Sequence, residues 1–251
     1  MLFLLRKIRQ KLVADNKVKS YLLYAVGEII LVVIGILIAV SLNNWNNHRS
    51  LQRSQETYLN ALKTEFEENQ KKLESAMRIN NNNRTNAMKL SEAMGLTSDS
   101  ISVDEIRHLV VGAISAEVQY RPRNGVIEEI ISSGKLELFD DDSLRFLISG
   151  WGGELQIVRF QEKDEQELFR QKLMNTMTEY VNVKEMFIGY YENTFKLTKS
   201  KLPSQEHNRL QSLPFENHLV GFIATSIYLD YRYRNLYKAQ QKLIDRITLI
   251  Q

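Results

Sequence analysis

The chain of 251 residues contains no cysteine and only 3 prolines and 11 glycines. Without cysteine it can form no disulfide, no thiolate metal site, no cysteine nucleophile and no lipidated N-terminal cysteine. So few prolines and glycines are typical of long helices and argue against a β-sandwich, whose many turns require both residues. These absences favour an all-α protein and are compatible with any cellular compartment.

The sequence also lacks the short motifs that mark common enzyme classes. It has no phosphate-binding glycine loop and no Gly-x-Ser-x-Gly elbow, and none of its 4 histidines has a second histidine at metal-ligand spacing. The acidic run Asp140 to Asp142 is interpreted as a helix cap, because a calcium loop needs more oxygen ligands and a glycine turn. We therefore expect no catalytic residues, no cofactor and no metal.

The formal net charge of +3 arises at the N-terminus. Residues 1–20 contain one acidic residue, Asp15, and six basic ones: Arg6, Lys7, Arg9, Lys11, Lys17 and Lys19. Apolar residues recur between them at helical spacing, which predicts a basic amphipathic helix on an anionic membrane surface, or alternatively a docking helix for a cytoplasmic partner. The rest of the chain is nearly neutral, so we expect no nucleic-acid partner.

One long hydrophobic run is present, residues 21–42, with the sequence YLLYAVGEIILVVIGILIAVSL. Its length matches the roughly 20 apolar residues that a helix needs to cross a bilayer. A cleaved signal peptide is the main alternative, but the run exceeds the ~7–15 apolar residues of a signal core. The excess of basic residues before the run predicts a single-pass inner (plasma) membrane anchor with a cytoplasmic N-terminus and a periplasmic body.

Glu28 is the charged residue of this run, and an ionised carboxylate in hydrocarbon is costly unless it is paired, neutralised or close to the headgroups. Glu28 belongs to a set of six residues that lie on one helix face at steps of three and four: Tyr24, Glu28, Leu31, Gly35, Ala39 and Leu42. Because small residues let helices approach closely, this face predicts a packing seam for a second copy or another membrane protein. The alternative is a monomeric anchor whose Glu28 reaches the membrane surface.

Residues 6–46, which include RKIRQKL and YLLYAVGEIILVVIGILIAVSLNNWN, resemble the N-terminal signature of a family of small single-span membrane proteins from Gram-negative bacteria. That family is known only as a domain of unknown function. A weaker likeness covers Asn124 to Trp151, where the family shows a helix, a Ser-Gly stop and a new helix. The resemblance implies an inner-membrane anchor with an α-helical body, and it implies no activity and no site residues.

Two long stretches of the body carry apolar seams at helical spacing. The first contains Leu59, Leu62, Phe66, Asn69, Leu73 and Ala76, and the second contains Leu219, Phe222, Ser226, Leu229, Tyr233, Leu236, Gln240, Leu243, Ile247 and Ile250. Their similar lengths predict antiparallel partners in a long bundle. This pairing would place Ile247 and Ile250 beside Asn46 to Leu51, and Leu219 beside a turn at Asn80 to Asn83.

One residue and three segments also bear on function. Asn69 occupies a core position, where it either fixes the helix register or lies at an imperfect, hydrated site. The segment Tyr120 to Gly125 is predicted to be a turn, and Gln161 to Glu167 a solvated stretch rather than a site. The aromatic and basic residues from Tyr228 to Tyr237 are interpreted as core plus exposed arginines rather than as a base-stacking surface.

The sequence therefore predicts an all-α protein whose N-terminal transmembrane helix continues into an elongated antiparallel helical bundle. Its three parts are a cytoplasmic leader (1–20), a transmembrane helix (21–42) and a periplasmic helical domain (43–251). The favoured function is a non-enzymatic scaffold or interaction module, in contact with the lipid bilayer and with a partner at the seam. A ligand-sensing accessory subunit of a membrane complex and a carboxylate-based periplasmic enzyme are the alternatives.

Overall fold

The computed structural model describes residues 18–95, 100–178, 181–191, 197–202 and 212–251. The predicted all-α class is confirmed within these ranges, where the α-helices are α1 (Val18–Glu92), α2 (Val103–Ile114), α3 (Gly125–Ser132), α4 (Asp142–Phe160), α5 (Glu167–Thr178), α6 (Val183–Tyr190) and α7 (Leu213–Ile250). A short 3-10 helix, Lys135–Leu138, precedes α4, and a π-helix, Gln161–Gln166, joins α4 to α5. The amphipathic helix predicted in the leader lies outside the described residues.

The chain divides into two compact units, Met1–Thr57 and Tyr58–Gln251. Helix α1 contributes to both, which confirms that the apolar run continues into the helix that follows it. Within the described residues, α1 is the one helix that is long and apolar enough to cross a membrane, and none of its most apolar stretch is buried in the chain. An all-round apolar helix of a soluble core would be buried, so this exposure supports a candidate membrane anchor.

The asparagines from Asn80 to Asn83 do not form the predicted turn, because they lie inside helix α1. Asn80 is fully buried against α7, where its Nδ2 donates to the carbonyl oxygen of Ser226 at 2.9 Å and its Oδ1 accepts from the Ser226 hydroxyl at 2.8 Å. These tertiary hydrogen bonds outweigh the tendency of asparagine to favour turns. Helix α1 ends at Glu92, shortly before Gly95, whose φ of 83° is suited to glycine.

Helix α7 runs antiparallel to the part of α1 that begins at Tyr58, as predicted. Hydrogen bonds join Asn80 to Ser226, Gln70 to Gln241 at 3.0 Å and Asn60 to Gln251 at 2.8 Å. The predicted register is wrong, because the C-terminal residue meets Asn60 and the helix pair extends past Asn80. The residues of the two predicted seams are buried, apart from a half-buried Ile250.

Two cores stabilise the unit Tyr58–Gln251. The first joins α1, α3, α4 and α7, and in it the rings of Phe66 and Trp151 meet edge to face with centroids 4.8 Å apart. The second joins the last part of α1 to α2, α5, α6 and the first part of α7, with Val110, Leu173 and Phe222 among its buried residues.

Residues 117–123, between α2 and α3, form an extended segment and not the turn predicted at Tyr120 to Gly125, and Gly125 already belongs to α3. Val118 and Tyr120 are buried while Gln119 and Arg121 are exposed, which is the alternation of an extended chain. Because an extended segment among helices has no neighbouring strand, its peptide groups need side-chain partners. Helical side chains supply them.

Asn69 is one of these partners, and neither of the two interpretations from sequence describes its role. Its Nδ2 donates to the carbonyl oxygen of Arg123 at 2.6 Å, and its Oδ1 accepts from the N–H of Arg123 at 2.7 Å. The carboxylate of Glu65 similarly accepts from the N–H groups of Val126 at 2.9 Å and Ile127 at 3.2 Å, which satisfies the first turn of α3. Helix α1 thus holds the extended segment in place.

Candidate functional site

The six residues of the predicted membrane seam all lie on α1, in the unit that ends at Thr57. Leu31 and Leu42 are exposed, Tyr24 and Glu28 are half-buried, and the space beside Gly35 is open. These six residues share one face because they lie at steps of three and four on a single α-helix. Packing of a second helix on this face stays a prediction.

The stretch from Gln161 to Glu167 is not the solvated surface that the sequence predicts. Gln161, Glu162 and Gln166 are only 5%, 5% and 3% exposed. They belong to the π-helix, whose wider turn changes the direction of side chains relative to an α-helix and turns three polar side chains inward. Short π-helices occur frequently at functional sites, which makes this segment a candidate functional site.

The carboxylate of Glu162 connects three separate elements. Its Oε1 accepts a hydrogen bond of 2.5 Å from the hydroxyl of Tyr233 in α7 and one of 2.7 Å from the backbone N–H of Tyr120 in the extended segment. Charge-assisted hydrogen bonds of this kind are stronger than those between neutral groups. The π-helix therefore fixes the position of the extended segment relative to α7.

Burial raises the pKa of the Glu162 carboxyl above its usual value. The hydrogen bonds from Tyr233 and from the Tyr120 N–H, together with the positive charge of Arg159, oppose this increase in pKa, while the Glu117 carboxylate adds to it. Burial also raises the pKa of the Tyr233 hydroxyl, with a further contribution from Glu162. Tyr233 therefore stays protonated and remains a hydrogen-bond donor.

A cleft of about 330 Å³ opens beside Glu162, between the extended segment and the helix formed by the end of α4 and the π-helix. This volume is at the lower end of the roughly 300–1,000 Å³ typical of small-molecule sites. The cleft is lined by Glu117, Val118, Gln119, Tyr120, Arg121, Pro122, Arg159, Glu162, Lys163 and Glu167.

The charges of the cleft are only partly neutralised by ion pairs. Glu117 pairs with Arg121 at 3.5 Å, and Glu167 pairs with Arg170 at 2.6 Å. Within the described ranges, Arg159 and Lys163 take part in no salt bridge. The cleft thus combines one buried carboxylate with two cations that are available to a ligand.

A layer of buried amides continues from the cleft into the bundle. Gln240 donates from Nε2 to the Tyr120 hydroxyl at 2.6 Å, and Gln166 accepts from the Thr225 hydroxyl at 2.6 Å. The remaining amide atoms, Gln240 Oε1 and Gln166 Nε2, have no hydrogen-bond partner among the described residues. Unpaired buried polar atoms destabilise a fold, so this layer is a costly feature of the core.

Sequence reasoning missed Glu162, although a signal for it exists. The buried stripe of α4 includes Leu155 and Val158, and steps of four from Val158 arrive at Glu162 and Gln166 before the stripe resumes at Leu173. A polar residue on the continuation of a buried stripe is a candidate for a buried polar site. In the described part of the chain, no three acidic or histidine side chains gather as metal ligands, and the absence of a metal site stays a prediction.

The sequence profile of a family of unknown function, DUF6090, matches residues 28–190, which is more than half of the chain. The chain belongs to the DUF6090 family. The matched DUF6090 region contains the whole cleft lining and the seam from Glu28 onward, whereas Tyr24 and helix α7 lie outside it. No curated protein and no solved structure matches the chain. This match confirms the resemblance to a family of unknown function. That the protein lies in the inner membrane of a Gram-negative bacterium and crosses it once stays a prediction.

Proposed function

We propose that this DUF6090 protein is a single-pass, non-enzymatic interaction module of the Gram-negative inner membrane, with its helical body in the periplasm. This function is supported by helix α1, Val18–Glu92, which contains the exposed apolar stretch and continues as the first helix of the bundle. A module of this kind keeps its folded unit at the membrane and acts by binding other molecules.

The orientation is supported by the six basic residues that precede the apolar run. A reporter enzyme that is active only in the cytoplasm, fused after Gln251, should be silent, and the same reporter fused before Met1 should be active. Replacing the six basic residues by glutamine provides the matched variant and should make the orientation mixed. Activity of the C-terminal fusion in the unchanged protein would reverse the proposed topology.

The interaction is proposed to include self-association through the seam on α1. Its support is the open space beside Gly35 together with the exposed Leu31 and Leu42 on the same face. Replacing Gly35 and Ala39 together by isoleucine should reduce crosslinked oligomers in native membranes several-fold. Replacing Val33 and Leu37 by isoleucine changes another face and should leave crosslinking unchanged. Equal crosslinking in both double variants would exclude the seam.

A second candidate function, a ligand-sensing accessory subunit, is favoured by the cleft beside Glu162. In this role the protein would pass the signal to another subunit of the membrane complex. A ligand would stabilise the folded body thermally, whereas a pure scaffold would co-purify with a partner in fixed stoichiometry.

A further inference from the structure

We infer that the cleft beside Glu162 binds a free α-amino acid, with the ammonium group of the ligand at Glu162 and its carboxylate at Arg159 and Lys163. This inference rests on the ligand-sensing candidate and is independent of the proposed topology and seam, since their tests use different measurements.

The ammonium end of the ligand is recognised by the free side of a buried carboxylate. Glu162 is 5% exposed, and its Oε1 already accepts hydrogen bonds from Tyr233 and from the Tyr120 N–H. Its Oε2 accepts no hydrogen bond from the described residues, yet Glu162 lines the cleft, so this oxygen is available to a donor there. An ammonium group supplies such a donor and a positive charge that favours the ionised carboxylate.

The carboxylate end is recognised by Arg159 and Lys163, which both line the cleft and lie four positions apart. An arginine guanidinium can bind a carboxylate through two parallel hydrogen bonds, and a lysine adds a compact positive charge. Arg159 precedes Glu162 by three positions and Lys163 follows it directly, so the positive and negative side chains line the same part of the cleft. An α-amino acid carries its two opposite charges on neighbouring groups and can therefore contact both kinds of side chain at once.

The balance of unpaired charges selects a zwitterion over a simple ion. Glu117 and Glu167 are already paired, so the cleft offers one carboxylate, Glu162, and two cations, Arg159 and Lys163. A simple anion would face the Glu162 carboxylate, and a simple amine would face the two cations, so each would meet repulsion as well as attraction. A molecule with both charges satisfies both sides.

The size of the cleft and its apolar surface complete the match. A volume of about 330 Å³ is small for a nucleotide or a large cofactor and suits a ligand of amino-acid size. The side chain of the ligand would contact Val118, which is buried, and Pro122, which is half-buried. These neighbours favour an aliphatic side chain.

The test uses the full chain in detergent micelles and the 20 standard α-amino acids, added first in pools and then singly at millimolar concentration. Thermal unfolding and calorimetry report binding. We expect at least one amino acid to raise the unfolding temperature and to bind stoichiometrically. Its amine analogue without the carboxylate and its acid analogue without the amine should each bind about tenfold more weakly or worse, because each lacks one charge-assisted contact.

Three variants locate the binding site. Glu162→Gln keeps the shape and the acceptor for Tyr233 but removes the negative charge, and it should weaken binding by about tenfold or more. Arg159→Gln changes an exposed residue and should weaken binding to a similar degree. Arg145→Gln on the same helix is the control and should bind as the unchanged protein does. No binding to any pool, equal binding of either analogue, or binding unaffected by both cleft variants would overturn the inference.

Discussion

Glu162 is a buried carboxylate whose surroundings act on it in opposite directions. Two donors, the Tyr233 hydroxyl and the Tyr120 N–H, stabilise its ionised form, while burial opposes ionisation and raises its pKa. Because both donors bind Oε1, a neutral amide with the same shape can accept the same two hydrogen bonds. The positional role of this side chain can therefore be separated from its charge.

We predict that Glu162→Gln reduces the dependence of stability on pH. The pKa of Glu162 is raised in the folded state above its ordinary value of 4.5, so the folded protein holds this proton more tightly than the unfolded chain. The contribution of Glu162 to the free energy of unfolding is complete below pH ~4.5 and is lost as the pH rises through the raised folded pKa. The variant lacks this loss and should be at least as stable as the unchanged protein at neutral pH.

Urea unfolding of both proteins across this pH range provides the measurement. Glu154→Gln, which changes an exposed carboxylate on α4, is the control and should leave the pH profile unchanged. A steeper decline of stability with pH in the Glu162→Gln variant would contradict the assigned pKa shift.

Asn69 lies at a heptad position of α1, but its side chain hydrogen-bonds the backbone of the extended segment. Its amide satisfies both backbone groups of Arg123 and leaves the seam of α1 without an apolar side chain at this point. A coiled-coil interpretation would expect leucine at this position to stabilise the protein. The structure predicts the reverse.

Asn69→Leu should therefore lower the free energy of unfolding by roughly 2 kcal/mol, because the partly buried N–H and C=O of Arg123 each lose a partner at a cost of up to ~1–3 kcal/mol. Asn82→Leu, at an exposed position of the same helix, should change stability by no more than ~0.5 kcal/mol. Chemical unfolding measures both. Stabilisation by Asn69→Leu would show that the extended segment does not depend on this amide.

At the scale of elements, the long helices could be predicted from the sequence and the segments between them could not. The seams of α1 and α7 repeat over many turns, and Ser102 and Asp141 cap α2 and α4 by accepting from the N–H groups of Glu105 and Leu144. The extended segment 117–123 has no such periodic signal, because its conformation depends on distant partners such as Asn69 and Glu162. The buried polar residues of the π-helix do continue the stripe of α4 at steps of four, but the sequence does not show their partners in distant segments, such as Tyr120 and Thr225.

Gly221 determines how closely α5 approaches α7. A Cβ added at this glycine would come 2.1 Å from the Cε1 atom of Phe169, so the ring occupies the space of a missing side chain. Gly221→Ala should destabilise the protein by ~1–3 kcal/mol through overpacking, despite the better helix propensity of alanine.

The matched control for this prediction is Gly153→Ala in α4, where open space surrounds the glycine and alanine should stabilise the protein by up to ~1 kcal/mol. Phe169→Ala in the Gly221→Ala background should recover part of the loss, and the double-mutant cycle measures this coupling. Additive effects of the two substitutions would mean that the ring and the glycine do not restrict each other.

At the scale of the whole molecule, the buried apolar residues of the described structure all lie at or after Leu59. None of the most apolar stretch of α1 is buried in the described structure. Because the two cores belong to one unit, Tyr58–Gln251, we expect a fragment with these bounds to fold without the membrane segment. A cooperative, helical thermal transition in circular dichroism would confirm this, and a non-cooperative one would contradict it.

The last turns of α7 should be required for that fold. Truncation after Tyr237 removes Leu243, Ile244 and Ile247, which are at most 7% exposed and pack in the first core. Each fully buried side chain of this size contributes about 1.5–3 kcal/mol, so their joint loss is comparable to the ~5–15 kcal/mol by which a domain is usually stable. The truncated fragment should therefore lose its cooperative transition.

Truncation after Ile250 removes only Gln251, whose hydrogen bond to Asn60 is exposed, and should leave the transition within a few degrees of the unchanged fragment. Equal melting of the two truncated fragments would show that the first core does not depend on the C-terminal end of α7.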